Sequence, residues 1–253
     1  MELKPIIRMK KNLSDEVKEN LCDYIRRMDV KKNPKLPSEA ALAQILGVSR
    51  VTVRRALDDL EQSGLLLRIH GRGTFVNPEA VQIKLNMTEG GELMESIIRS
   101  GYEAKVELVR VEEYDADKKL ASALQIDIGA RVVEIEKVFY ADNHPAIVCI
   151  DRFPKDILVR PLKEDEYKTT IFDLLRDTAG KIITRDKVEV LSMSRAQMKK
   201  YSPFADQMEC DSVLVLNSLN YDQNNIPIIF DTEFYNTNYI RYTLMRPKNI
   251  HYV

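Results

Sequence analysis

Ser49 is followed by Arg50, Thr52, Arg54 and Arg55, a concentration of cations and hydroxyls directly after a residue type that caps helices. Planar guanidinium groups placed there can clamp a phosphate or donate two parallel hydrogen bonds to the O6 and N7 edge of a guanine. Further on, His70-Gly71-Arg72-Gly73 joins two short apolar runs, so a second set of donors sits on a glycine-rich turn. A different chemistry lies in the C-terminal two thirds. There Lys137, Cys149, Asp151, Asp231 and Glu233 interrupt apolar rows, where a polar group must find a partner because an unpaired buried one costs about 1–3 kcal/mol.

Other chemistries find little support. The three histidines, His70, His144 and His251, offer few general bases, and the three cysteines, Cys22, Cys149 and Cys210, are odd in number and far apart, with no C-x-x-C pair. Neither a disulfide framework, a zinc site nor a phosphate-binding G-x-x-x-x-G-K is present. We expect no metal, no cofactor and no catalysis. No run reaches the roughly 18 apolar residues of a membrane span, and Arg8, Lys10 and Lys11 interrupt the N-terminal segment, so the expectation is a cytoplasmic protein without a membrane partner.

The cationic residues need elements to hold them. A helix capped by Ser14 and running to about Met28 has Val17, Leu21, Tyr24, Ile25 and Met28 on one face. Ser38 caps a short helix with Leu42, Ile45 and Leu46 inward, and Gly47 ends it. Ser49 opens the next, which buries Val53, Ala56, Leu57 and Leu60 and stops at Gly64, leaving the arginines on its other face. Two short helices joined by a tight turn, followed by strands Leu65–Arg68 and Thr74–Val76, form a winged helix-turn-helix, with the second helix shaped for the major groove and Arg72 for the minor groove. Charge agrees. The 253 residues carry a net -1, yet residues 1–78 hold 15 Lys+Arg against 10 Asp+Glu, net +5, and 79–253 hold 23 against 29, net -6.

The stretch LPSEAALAQILGVSRVTVRRALDDLEQSGLLLRIHGRGTFV is similar to the DNA-binding domain of GntR-superfamily bacterial transcription regulators, over about residues 5–76. The resemblance implies that Arg50 and Arg54 reach bases or phosphates, that Ser38 and Thr52 hold the backbone, and that His70 and Gly71 lie against DNA in the wing, with Ser49 a further DNA-binding candidate. Arg55 and Arg72 are further candidates. The family usually has an arginine after LPSE; here that position is Ala40, so a base contact on the preceding helix is missing.

The acidic remainder repeats itself. VVEIEKVFYADNHPAIVCIDRF (132–153) and SVLVLNSLNYDQNNIPIIFDTEFY (212–235) are each a strand, a polar turn and a second strand, preceded by helix-like stretches at 115–124 and 194–201. With strands at Lys105–Val111 and Lys187–Leu191 and a helix at Thr170–Thr178, this is an α+β domain around an antiparallel sheet. It resembles the UTRA effector-binding domain, of chorismate-lyase-like fold, in the HutC subfamily of GntR regulators. The expected organisation is a head at 1–76, a linker at 77–84 and an effector-binding and dimerisation domain at 85–253.

Strand parity puts Val133, Ile135, Lys137 and Phe139 on one face, and likewise Val213, Val215, Asn217 and Leu219. Cys149 with Asp151 and Asp231 with Glu233 occupy matching places in the repeat. Thr88-Glu89-Gly90-Gly91 opens a helix whose free N–H groups suit an anion or hydroxyl. The candidate effector residues are therefore Thr88, Lys137, Phe139, Cys149, Asp151, Thr170, Phe172, Asp231 and Glu233. Family members that bind amino-sugar phosphates have two basic residues where this chain has Lys137 and Phe139, and an acid where it has Cys149. One cation among several carboxylates points to a polyol, nucleoside or amine instead of a phosphosugar. The expected protein is a transcriptional regulator, a repressor, that binds a near-palindromic operator in double-stranded DNA as a homodimer and responds to a small-molecule effector. An enzyme on the chorismate-lyase-like scaffold and an effector-independent DNA-binding protein are the alternatives.

Overall fold

Local capping explains the N-terminal elements of the computed structural model, which describes residues 13–81, 83–87 and 90–244, the side chains of 164 and 165 aside. Helix α1 spans Leu13–Arg27, α2 Glu39–Leu46 and α3 Arg50–Gln62. Ser38 accepts from Ala41 N at 3.2 Å and Ser49 from Thr52 N at 3.1 Å, so each satisfies an N–H left free at its helix start. Gly47 stops α2 at φ 67°, where a Cβ would be strained. Ser14 lies inside α1, buried, instead of capping it.

Strands β1 (Leu66–Ile69) and β2 (Gly73–Val76) pair antiparallel around the turn, and residues 34–36 extend this sheet, with Leu36 N donating to Thr74 O and Val76 N to Pro34 O. Val17, Leu21, Ile25, Leu42, Val53, Ala56, Leu57, Leu60, Leu66 and Val76 share one core. Two residues expected inward are not. Ile45 is 71% exposed and Tyr24 47%, because the buried stripes of α2 and α1 are narrower than the spacing suggested.

The chain divides into two compact units, Met1–Thr88 with Tyr242–Val253, and Glu89–Arg241. The expected linker at 77–84 and the domain start at 85 need correction. Asn77 is buried, donates to Gly64 O and receives Glu79 N, so that Pro78–Val81 (α4) begins as a capped helical turn. Thr243 N donates to Leu85 O and Met87 N to Thr243 O, which ties both segments into the first unit.

The second unit is built twice over. Helix α5 (Leu93–Ser100) leads into edge strand β3 (Ala104–Asp115), then α6 (Lys118–Leu124) and the hairpin β4 (Arg131–Ala141) and β5 (His144–Pro154). Helix α7 (Ile171–Ala179) leads into edge strand β6 (Ile183–Ser194), then α8 (Arg195–Met198) and the hairpin β7 (Ser212–Asp222) and β8 (Pro227–Tyr235). The antiparallel order is β3-β4-β5-β8-β7-β6, so the halves meet at β5 and β8. Ile150 pairs with Thr232 there, flanked by Cys149 with Glu233 and Asp151 with Asp231. The repeat legible in the hairpins thus extends to the helix and long strand before each. On one sheet face Val138, Val148, Ile150, Val213, Val215 and Phe234 pack with Met198 and Ala205. On the other, Val133, Ile135, Phe153 and Ile229 pack with Leu174 and Leu175 of α7.

Candidate functional site

In the first unit, Ser38, Ser49, Arg50, Arg54, Arg55, His70, Gly71 and Arg72 are exposed and Thr52 is half-buried. The arginines project from the face of α3 opposite its buried stripe, with no core role to account for them. Gly71 and Gly73 have φ of 72° and 110°, which gives the turn its tightness, and Arg72 lies over the Phe75 ring at 5.7 Å.

One partner was not legible in the sequence. Glu39, the first residue of α2, accepts from Arg54 Nη2 at 2.7 Å and from Arg54 Nε at 3.2 Å. The guanidinium beside it holds the Glu39 carboxyl below its ordinary value. Arg54 is thereby held in one orientation across the helix-turn-helix. The same acid lies 3.9 Å from Arg68, which pairs with Asp58 at 2.5 Å. Their sequence separation hides this arrangement, although LPSE and TVR are the stretches it joins.

In the second unit a cavity of about 310 Å³ opens on the sheet face covered by α7. Lys137 and Phe139 of β4, Cys149 and Asp151 of β5, and Asp231 and Glu233 of β8 line it, together with Thr170 and Phe172 at the start of α7. Eight of the nine candidate effector residues therefore converge; the ninth, Thr88, lies outside the described residues. Gly90 and Gly91 do not open the helix as expected, since α5 starts at Leu93 with Glu92 at its cap position.

Asn217 shares its face with Val213, Val215 and Leu219 as expected, and that face is the one away from the cavity. Register pairs Asn217 with Thr232 and Ser218 with Asp231, so Ser218 and Asn220 share the cavity face while Asn217 looks away. The residue across from Cys149 in β4 is Lys137, and the one across from Asp231 in β7 is Ser218. The cation is thus present in one half of the repeat alone.

Lys137 donates to the Thr169 carbonyl, and burial lowers its pKa, an effect opposed by Asp151. Asp231 accepts from Asn220 Nδ2 at 2.5 Å and Glu233 from the Tyr235 hydroxyl at 2.6 Å. Among the described residues, Asp151 has only the Cys149 thiol as a donor, at 3.5 Å. Burial raises all three carboxyls, Glu233 to about 7, and pushes the Cys149 thiol up. Two acids that the strand pattern could not place also line the cavity, Glu92 and Asp173. Burial raises Glu92 as well, and Asp173 adds to it. The cavity can hold a small molecule with an apolar body and hydrogen-bond donors. Among the described residues, no group of His, Cys, Asp and Glu side chains is arranged to hold a metal ion, and no helix is long and apolar enough to cross a membrane.

Comparison with known proteins follows the same division. Residues 13–76 match the model "Bacterial regulatory proteins, gntR family", and residues 99–241 match "UTRA domain". The HTH-type transcriptional repressor NagR of Bacillus subtilis is 30% identical over 210 residues, 83% of this chain and 84% of that protein. The histidine utilization repressor of Klebsiella aerogenes is 30% identical over 156 residues, 62% of this chain and 64% of its own length. The crystal structure of YydK from Bacillus subtilis superposes with a TM-score of 0.68 at 16% identity, covering 93% of this chain and all (100%) of that one, which shows a shared fold.

Proposed function

We infer that this chain, which belongs to the gntR family of bacterial regulatory proteins and carries a UTRA domain, represses transcription by binding an operator through α3 and the β1–β2 wing. It is a DNA-binding regulator, not an enzyme, and its second unit is the effector-binding one. The observation that carries the finer reading is the convergence of Lys137, Phe139, Asp151, Asp231 and Glu233 on one cavity, which we assign to the effector.

The working form is a homodimer. Edge strand β6 supports this: Val188, Val190 and Leu191 are exposed on a strand whose outer side has no partner among the described residues. Two copies of β6 set antiparallel about Val188 would place Lys187 opposite Glu189 twice, so the edge is self-complementary. A two-fold dimer presents its recognition helices about one DNA turn, ~34 Å, apart, and the operator is then near-palindromic. Effector binding shifts the dimer toward a form that spaces the heads wrongly, and operator DNA must weaken effector binding by the same factor.

The cytoplasm is where such a protein meets its operator. The test is selection of binding sites from random duplex DNA by the full chain. A palindromic consensus, lost with Arg50→Ala, is expected; enrichment of no consensus would refute the operator reading.

A further inference from the structure

The buried acids of this sheet are treated in two ways. On the face away from the cavity, Glu134 lies 2.8 Å from Arg152 and 3.0 Å from Arg110, and Glu136 lies 2.5 Å from Arg110. At the end of β7, Asp222 meets Lys181 at 2.9 Å. Each of these carboxylates has its cation. In the cavity, Asp151, Asp231 and Glu233 have none within ion-pair distance among the described residues, and the cavity's buried cation, Lys137, donates to a carbonyl. Asp151 is 4% exposed, lines the cavity and, among the described residues, receives only a thiol.

The placement compounds the imbalance. Asp151 stands directly opposite Asp231 across the β5–β8 seam, an arrangement of like charges that destabilises an antiparallel pair. Acids outnumber cations in the lining: Glu92 from the start of α5 and Asp173 from α7 join Asp151, Asp231 and Glu233, against Lys137 and Lys168. The rest of the lining is apolar, with Leu93, Met94, Val106, Phe139, Ile171 and Phe172. A volume of about 310 Å³ is at the small end for ligand pockets, which run from roughly 300 to 1,000 Å³.

We propose that this cavity takes a small organic cation, a protonated amine on an apolar or aromatic body, with its ammonium group among Asp151, Asp231 and Glu233 and its body against Phe139 and Phe172. A polyol would satisfy hydrogen bonds but leave the three acids without a counter-charge. A phosphate ester would add to the negative charge, and Glu92 already occupies the cap position of α5 where an anion would sit. The proposal rests on the assignment of the cavity as the effector site.

The test is calorimetric titration of the full chain with 2-phenylethylamine, 2-phenylethanol and phenyl phosphate. The amine is expected to bind one per chain, at least tenfold tighter than the alcohol or the phosphate. Its affinity should rise about tenfold from pH 5.5 to pH 8, as the carboxyls lose protons while the amine keeps its own. Asp151→Asn or Glu233→Gln, whichever folds, should weaken it at least tenfold. Equal or tighter binding of the alcohol or the phosphate, lost with Phe139→Trp, would overturn the cation and keep the cavity as effector site. Amine binding indifferent to Phe139→Trp would overturn the cavity assignment as well. No binding of the amine would overturn the cation outright.

Discussion

Replacing Glu233 by glutamine should make this protein more stable at pH 8 relative to pH 5, the reverse of what removing a native carboxylate usually does. Glu233 is enclosed by β5, β7 and the α7 side of the sheet, and burial moves its carboxyl from the ordinary 4.5 to about 7. Between those values the folded chain holds a proton that the unfolded chain releases. Folded stability is therefore full below about pH 4.5 and is lost as pH rises through 7, by about 3 kcal/mol in total. Asp231, raised by burial and then by Glu233, relaxes in the same direction when that neighbour becomes neutral. Glutamine keeps the shape and still accepts the Tyr235 hydroxyl through its amide oxygen, so the main change is the charge. About 2.5 kcal/mol of this falls between pH 5 and pH 8, so at ~2–4 °C per kcal/mol for a unit of this size the variant should gain on wild type by about 5–10 °C in melting temperature over that range. Scanning calorimetry of the full chain at both pH values reads this as a difference of differences. An unchanged gap would mean that Glu233 titrates as a solvated carboxylate, and the account of the cavity floor would fail.

The Glu39–Arg54 clamp makes the next expectation. Arg54→Ala should weaken operator binding roughly ten- to hundredfold with relaxed preference at one base pair, and Glu39→Ala should lower the ratio of operator to random-DNA affinity. If Glu39→Ala instead tightens both DNAs equally, Glu39 is only a negative charge near the phosphates. For the edge strand, Val190→Glu should convert the dimer to a monomer at micromolar concentration in sedimentation, and an undisturbed dimer would place the interface elsewhere.

Much of the head was readable because its signals are local. Caps act over three residues, so Ser38, Ser49 and Gly47 marked their helix ends correctly, and the buried series of α3 follows from helical spacing alone. Ile45 misled because an eight-residue helix buries only a narrow stripe. The Arg54–Glu39 pair escaped because it joins two helices. In the second unit, alternation along β4, β5 and β8 was enough to bring six candidates to one cavity, since each strand there keeps a period of two across the seam, and Thr170 and Phe172 join them from the start of α7. Alternation also grouped Asn217 correctly with Val213, Val215 and Leu219, but that face is the one away from the cavity. Matching the repeats by sequence missed by one position in β7, and one position in a strand moves a side chain to the opposite face. Glu92 and Asp173 come from helix starts above the sheet, which no strand pattern can place.

The seam between the two halves bears on the order in which the molecule assembles. Each hairpin closes through a short turn, at Asp142 and at Asn225, and needs few residues brought together. The β5–β8 pairing joins Cys149 to Glu233, 84 positions apart, so it must wait for the longer loop to close. What meets there is a row of acids. The repulsion a ligand would relieve in the finished protein therefore lies at the pairing with the longer loop to close, so a molecule that fits the cavity stabilises the joining of the two halves.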